Sequence, residues 1–241
     1  MKLYHGTRAS LLSKILDQGI LPRNKRRSCW EHAPSHPSVV YLTDAYAPYF
    51  AAAAAGDKEG EKLGLVVEID SNRLDHSKLL PDEDALEQTN RGRDKVEGDM
   101  FQRNKHYRSI ISQYCNGEWE TSLKVMGTCG HLGKIAPATI TRVALIPTLY
   151  LMMWDASVGV MNYRWLGPKY RAQMARLFGD VPVDPPTEPF GDWQVPLSGH
   201  DVHIIVDGKL GPTTRLQFPD ERQGWKAMRE KLQQRNKENT S

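Results

Sequence analysis

The length and composition of the chain are those of an ordinary globular protein. It has 241 residues, 39% of them hydrophobic and 25% charged, and a net charge of only +3, so it can bury a substantial core and its charge does not mark it as a nucleic-acid binder. No apolar run reaches the roughly 20 residues of a membrane span, and no signal peptide is evident. The three cysteines do not make a disulfide framework, so we predict a cytoplasmic protein with no membrane partner.

The chain opens on a predicted short strand that carries a His-Gly pair. Leu3 and His5 fall on one face of such a strand and Tyr4 on the other. Gly6 is the residue type that lets a ligand approach the backbone closely, and its N–H and C=O groups could hold a planar carboxamide. The imidazole of His5 offers one donor and one acceptor to a neighbouring ribose hydroxyl or ring.

A capped helix is the alternative interpretation of the same stretch. Thr7 or Ser10 is a candidate N-cap for an apolar run with helical spacing, formed by Leu11, Leu12, Ile15 and Leu16. Gly19 is a predicted helix stop, and a polar loop over residues 23–38 follows. On this interpretation the His-Gly pair only ends a strand.

A second strand and helix place two tyrosines near each other in sequence. Residues 39–44 are β-branched and aromatic and end at Asp44, a predicted helix cap. The helix that follows holds Tyr49 and the alanine run 51–55. Tyr41 therefore lies on a strand and Tyr49 on the helical turn just after it.

The chain resembles the ADP-ribosyltransferase superfamily, in its His-Tyr-Glu branch, which includes diphtheria toxin and the poly-ADP-ribose polymerases. The residues that carry the resemblance are Tyr4-His5-Gly6-Thr7, Gly19-Ile20-Leu21-Pro22, Val40-Tyr41-Leu42-Thr43-Asp44 and Tyr49. The resemblance implies an α+β fold with a split, mostly antiparallel sheet, flanking helices and a cleft for NAD as substrate. It also implies that the segment from His5 to Thr7 binds nicotinamide and the adjoining ribose, and that Tyr41 and Tyr49 flank the nicotinamide ring.

Basic residues near this predicted site are candidates for phosphate contacts. Arg8 or Arg23 could meet the pyrophosphate of NAD, on the grounds of charge and nearness in sequence. Two further basic clusters occupy residues 24–27 and 91–108 and comprise Lys25, Arg26, Arg27, Arg91, Arg93, Lys95, Arg103, Lys105 and Arg108. They could contact a phosphate backbone or form a solvated face.

The middle of the chain predicts a third strand and an acidic helix start. Residues 63–69 are dense in apolar residues, as in a buried strand. Residues 71–84 are predicted as a loop, and the acids at 82–84 as surface residues in the first turn of a helix, where they suit the helix dipole. The polar residues 88–108 indicate a lid-like loop or an exposed helix.

The reaction that the resemblance implies needs a carboxylate near the ribose, and Glu120 is the predicted one. Residues 116–126 are predicted to form a turn and a strand, with Glu118, Glu120 and Ser122 on one face. By resemblance the third member of the His-Tyr-Glu set lies on a late strand before a segment like 133–143. Glu118 and His131 are the alternatives for this position, and charges that protect an edge strand are a further interpretation.

A metal site and a catalytic cysteine are not favoured. Ligand types occur at Cys29, His32 and His36, with Cys115, Cys129 and His131 as distant candidates. A structural zinc site usually shows two tight ligand pairs, and neither group supplies them. No base pairs recognisably with either later cysteine.

Residues 1–146 are predicted to form the transferase core, and residues 147–241 a C-terminal extension of unassigned role. The extension contains a predicted helix over 168–178, a linker over 179–196, a hairpin around Asp207-Gly208 and a charged terminal helix over 223–235.

The sequence thus predicts a toxin-like bacterial or phage mono-ADP-ribosyltransferase that modifies nucleic acid, RNA or DNA, and that an antitoxin protein holds in check. Four alternatives stay open: a protein acceptor, an NAD-dependent RNA 2′-phosphotransferase, an NAD glycohydrolase and a binding module without catalysis.

Overall fold

The protein is an α+β structure built on one antiparallel sheet. A computed structural model describes residues 1–24, 34–56, 58–89, 96–147, 156–180 and 200–216. The strands within these ranges are β1 Lys2–Arg8, β2 Val39–Thr43, β3 Leu63–Asp70, β4 Leu79–Pro81, β5 Thr128–Leu132, β6 Ile140–Pro147, β7 His200–Val206 and β8 Lys209–Leu216. The helices are α1 Leu12–Gln18, α2 Ala47–Gly56, α3 Glu83–Thr89, α4 Met100–Ile110, α5 Glu118–Met126 and α6 Ala156–Leu177. The strand order is β4-β5-β2-β1-β3-β6-β7-β8.

Helices cover both faces of the sheet, which explains why the central strands are apolar on both sides. On β3, Leu65 and Val67 face a core completed by α1 and α5, whereas Val66 faces α2 and α6. All three side chains are fully buried, and each such burial stabilises the fold by about 1.5–3 kcal/mol. Farther along the sheet, α3 and α4 pack on the same face as α2.

Several elements confirm the sequence predictions. Strands β1, β2 and β3 lie where they were expected, and Leu3 and Tyr4 do point into opposite cores. The turn between β7 and β8 is formed by Asp207 and Gly208, both with positive φ, at 49° and 71°. Two adjacent left-handed residues match the right-handed twist of a hairpin, which is why Asp-Gly occurs there.

The strand predicted over 118–126 is wrong, because this stretch is helix α5. Its buried residues are Trp119, Ser122, Leu123 and Met126, a spacing of three to four residues rather than two. Glu118 and Glu120 lie in the first turn of the helix, where carboxylates suit the dipole.

Two other predictions also need correction. The loop predicted over 71–84 contains strand β4, which pairs with β5. The helix predicted to begin at Pro168 begins at Ala156, so the proline lies inside α6.

Residues on both sides of position 146 share one sheet. β7 pairs with β6, and Met174, Leu177 and Phe178 at the end of α6 join Tyr4 in one core. The described part of the predicted C-terminal extension therefore completes the layers that hold β1. The predicted terminal helix over 223–235 and most of the predicted linker lie outside the described residues.

Candidate functional site

The two strands that carry the predicted histidine and tyrosine are joined at a single register position. β1 pairs with β3 through seven positions, from Lys2 to Arg8, but with β2 only at Tyr4 opposite Thr43. His5 is the next residue of β1, at the point where this pairing ends. The end of β1 beyond Tyr4 is therefore bordered by a regular strand on one side only.

His5 bridges this point through its side chain. Its Nδ1 lies 2.9 Å from the carbonyl oxygen of Tyr41, and because a carbonyl only accepts, Nδ1 carries the proton and donates. Burial lowers the pKa of His5 below its ordinary value, against the smaller opposing effect of the bond to Tyr41. The imidazole is thus neutral near pH 7, and its Nε2 is an acceptor.

The hydroxyl of Tyr41 is held from two sides. It donates to the carboxylate of Glu83, whose two oxygens lie 2.7 and 2.6 Å away, and it accepts from the backbone N–H of His36 at 2.8 Å. Burial, with the charge of Glu83, raises the pKa of Tyr41 well above its ordinary value. The phenol therefore stays protonated and remains the donor in this pair.

The prediction that the acids at 82–84 are surface residues holds for Asp84, which is exposed, but it is wrong for Glu83. Its exposed fraction is only 4%. It is the first residue of α3, which follows strand β4 after a single residue. Burial raises the pKa of Glu83, and burial together with the charge of Glu83 raises the pKa of Asp82 to about 7. The backbone of Asp82 is fixed by its N–H bond to Ser122 Oγ at 2.9 Å.

The sequence contained one indication of this arrangement. The acidic run follows directly on Leu79-Leu80-Pro81, and these three residues form a strand that is buried throughout. Side chains that come directly after a buried strand lie at the end of a sheet rather than on open surface. The shortness of this strand hid the indication.

Gly6 is closely approached by helix α2. A Cβ atom at this position would lie 2.6 Å from the backbone nitrogen of Ala51 and 2.8 Å from Cβ of Phe50, and closer still to the carbonyl oxygen of Ala47. The absent side chain thus lets α2 lie directly on β1. Tyr49 is half-buried on this helix, with its ring 5.6 Å from that of Phe50.

Two arginines hold the segment that covers Tyr41. Arg23 donates to the carbonyl oxygen of Ser35 at 2.5 Å and to its hydroxyl at 3.3 Å, and Arg108 donates to the carbonyl oxygen of Pro34. Burial lowers the pKa of His36, and the charges of Arg108 and Arg23 lower it further. Arg23, predicted to meet pyrophosphate, here fixes residues 34–36 above the tyrosine.

Arg8 and Thr7 end strand β1. Thr7 is buried, and Arg8 is half-buried with its Nε atom lacking a hydrogen-bond partner among the described residues. Nothing in the described part of the chain therefore occupies this Nε donor. The pyrophosphate contact of Arg8 stays a prediction.

The three candidates for the catalytic carboxylate position lie on two elements, Glu118 and Glu120 on α5 and His131 on β5. Glu120 is exposed on α5, and Glu118 accepts from the backbone N–H of Asn116 at 2.8 Å. His131 lies on β5 with an exposed fraction of 3%, and burial lowers its pKa. The β5 residue opposite Tyr41 is Gly130, so the strand beside the tyrosine brings no carboxylate to it.

The metal-ligand candidates are not gathered into a cluster in the described part of the chain. There, no group of three or more His, Cys, Asp or Glu side chains is placed to hold an ion. Cys115 is exposed and Cys129 buried, both as free thiols. Cys29 and His32, like the basic residues 25–27, 91, 93 and 95, lie outside the described residues.

None of the helices in the described ranges combines the length and the apolar character that crossing a membrane requires.

Comparisons with known proteins do not assign the chain to a family. No protein-family model matches the chain, and no curated protein matches it. Among solved structures it is similar to EcPltA, with a TM-score of 0.35 and 12% sequence identity over 60% of this chain and 75% of that one.

Proposed function

We propose that this protein is an NAD-dependent mono-ADP-ribosyltransferase. The observation that supports this best is the joining of His5 to the Tyr41 backbone at 2.9 Å, at the point where β1 and β2 cease to pair. The arrangement gives a neutral imidazole, whose Nε2 can accept a hydrogen bond, next to a half-buried tyrosine. Those are the groups that a nicotinamide riboside would use, the acceptor for a ribose hydroxyl and the aromatic ring for the nicotinamide.

In the proposed reaction the bond between C1′ of the ribose and the nicotinamide nitrogen breaks, and its electron pair leaves with nicotinamide. The acceptor's lone pair forms the new bond to C1′, and its proton passes to a carboxylate or to solvent. His5 orients the ribose, Gly6 and Thr7 lie beside it on β1, and Tyr41 and Tyr49 hold the nicotinamide ring. The chain's contribution is mainly orientation and exclusion of water.

A nucleic acid is the proposed acceptor, with the protein acting as a toxin in the cytoplasm. Lys105 is exposed on α4, and Arg108 on the same helix reaches the segment above Tyr41. Cations beside the site would attract a phosphate backbone. A protein acceptor is the alternative within the same reaction class, and an antitoxin is the proposed regulatory partner.

The second candidate function is an NAD-dependent RNA 2′-phosphotransferase. It is favoured by Arg23 and Arg108, which both lie close enough to His36 to lower its pKa. Arginine is well suited to binding a phosphate group. This reaction would leave a 2′-hydroxyl on the RNA in place of the 2′-phosphate, which distinguishes it from simple ADP-ribose transfer.

The test uses NAD labelled in the adenylate part, with the full chain and RNA, single-stranded DNA, duplex DNA or extract protein in separate tubes. We expect label on one class of nucleic acid, and its loss in His5→Ala. His203→Ala is the matched control, because His203 lies on β7 and its Nδ1 is 2.7 Å from the hydroxyl oxygen of Thr213. Glu120→Gln in the same tubes tests the predicted carboxylate.

Each alternative has its own result. Label on protein alone would indicate a protein acceptor. Rapid nicotinamide release without any macromolecule would indicate a glycohydrolase. Loss of the phosphate from a 2′-phosphorylated RNA would indicate the phosphotransferase. If the chain shows no transfer and releases no nicotinamide, the proposal is refuted, and a binding module without catalysis is the alternative that remains.

A further inference from the structure

The buried carboxylate of Glu83 has no role in the reaction as described so far. Its exposed fraction is 4%, yet it forms no ion pair at 4 Å or less with a described residue, and its close partner is a neutral phenol. A buried anion costs several kcal/mol unless nearby groups compensate for its desolvation. Because the Glu83 carboxylate is buried at an energetic cost next to the proposed NAD site, its contacts indicate whether it has a role in substrate binding.

The hydrogen bonds show that Glu83 acts on the Tyr41 ring. A phenol has one proton to donate, and that of Tyr41 goes to Glu83 at 2.6–2.7 Å, while its oxygen accepts from His36 at 2.8 Å. With both functions of the hydroxyl engaged, the far end of the ring is fixed. The near end is fixed by strand β2, whose carbonyl at Tyr41 holds His5.

The same bond also changes the charge distribution of the ring. A hydroxyl that donates to a carboxylate takes on part of its negative charge, and an aromatic face attracts cations through its electron density. The nicotinamide ring of NAD⁺ is a cation until the glycosidic bond breaks. Tyr41 backed by Glu83 is therefore a better surface for intact NAD⁺ than a phenol alone.

The charged groups around Glu83 come from three elements. Burial has the largest effect on the pKa of Glu83 and raises it, and the charge of Asp84 on α3 adds to this, whereas the Tyr41 hydroxyl on β2 and the charge of Arg108 on α4 lower it. The cation is close enough to influence the carboxylate electrostatically, but it donates to Pro34. The short hydrogen bonds that the Glu83 carboxylate accepts therefore come from the Tyr41 hydroxyl.

We propose that Glu83 is a positioning residue for NAD⁺, acting through the Tyr41 hydroxyl to fix that ring and to favour the cationic nicotinamide against it. This assignment rests on the proposed function, because it takes Tyr41 as a nicotinamide contact. It adds a residue of α3 that the sequence prediction left on the surface. It also predicts a specific kinetic pattern, since an interaction with the intact cation strengthens binding more than bond cleavage.

The experiment is a double-mutant cycle on KM for NAD⁺ and on kcat. Glu83→Gln keeps an acceptor for the phenol but removes the charge, and Tyr41→Phe removes the hydroxyl through which the charge acts. We expect each single variant to raise KM by about tenfold with kcat within about threefold, as for a cation–π contact of about 1.4 kcal/mol. The double variant should match Tyr41→Phe within about twofold, because partners in one network are not additive.

Glu87→Gln is the matched control. Glu87 lies one turn along the same helix, where its partner is Arg103 at 2.7 Å, and its variant should leave KM unchanged. Circular dichroism of every variant confirms that the proteins compared are folded.

Two results would overturn the assignment in a protein that turns over NAD⁺. If the losses from Glu83→Gln and Tyr41→Phe multiply, Glu83 does not act through the phenol. If Glu83→Gln lowers kcat alone, or leaves KM unchanged, the carboxylate does not support binding of the cation. A wild-type chain that neither binds nor cleaves NAD⁺ refutes the proposed function instead, so the two failures are distinguishable.

Discussion

Replacing Gly6 with alanine tests the packing that places β1 beneath α2. The new Cβ would lie 2.6 Å from a backbone nitrogen, 2.8 Å from Cβ of Phe50 and closer to a backbone carbonyl oxygen. These atoms belong to the helix itself and cannot rotate away, so α2 as a whole must shift. Overpacking of a core typically costs about 1–3 kcal/mol, and more where backbone must move. We therefore expect Gly6→Ala to lower the free energy of unfolding by about 3 kcal/mol.

The measurement is urea unfolding followed by far-ultraviolet circular dichroism, with a thermal scan as a second readout. About 3 kcal/mol corresponds to a fall in Tm of about 6–12 °C for a chain of this length. Gly60→Ala is the control, because its Cβ would meet nothing within 4 Å. Its φ of 78° adds only the left-handed penalty of about 1–2 kcal/mol. Equal losses in the two variants would contradict the packing explanation.

The remaining predictions concern buried charges. Arg142→Gln should lower the free energy of unfolding by about 3 kcal/mol in urea melts. The reason is that Glu68 is 1% exposed and, among the described residues, would keep Lys2 at 3.6 Å as its one cation, with the Thr141 hydroxyl as a neutral donor. Arg73→Gln, which breaks an exposed pair with Asp70, should change the free energy of unfolding by less than about 1 kcal/mol. Asp82 should make the fold less stable as pH rises from about 4 to 7, since its pKa is about 7 folded and about 3.9 unfolded, so the native state binds the extra proton in this window. Melts of Asp82→Asn should show a smaller fall over the same pH range, and an unchanged slope would exclude Asp82 as its source.

The candidate site depends on contacts between distant parts of the sequence. Glu83 reaches Tyr41 across 42 positions, and His5 reaches the same residue across 36. The pairing of His5 with Tyr41 was accessible through resemblance, since both residues lie in recognisable motifs. Nothing comparable marked Glu83, whose short strand of three residues precedes an ordinary acidic helix start.

Local periodicity failed where two periods fit the same residues. Over 118–126, Trp119, Leu123 and Val125 match an alternating pattern, whereas burial of Trp119, Ser122 and Met126 matches a helix. Ser122 decides between them, because its hydroxyl donates to the carbonyl of Thr128 at 2.7 Å and accepts from Asp82 at 2.9 Å. A buried serine with such partners counts as part of the core, but its partners are known only from the fold.

The sequence by itself determined the features that neighbouring residues can determine. Strands β1, β2 and β3 follow from dense apolar runs, and the hairpin at Asp207 follows from residues that accept positive φ. Tertiary structure alone decided that Gly6 serves the approach of α2 and that Glu83 is buried against Tyr41. The physical reason is that a side chain's solvation and close contacts depend on the elements packed around it, and those elements lie elsewhere in the chain.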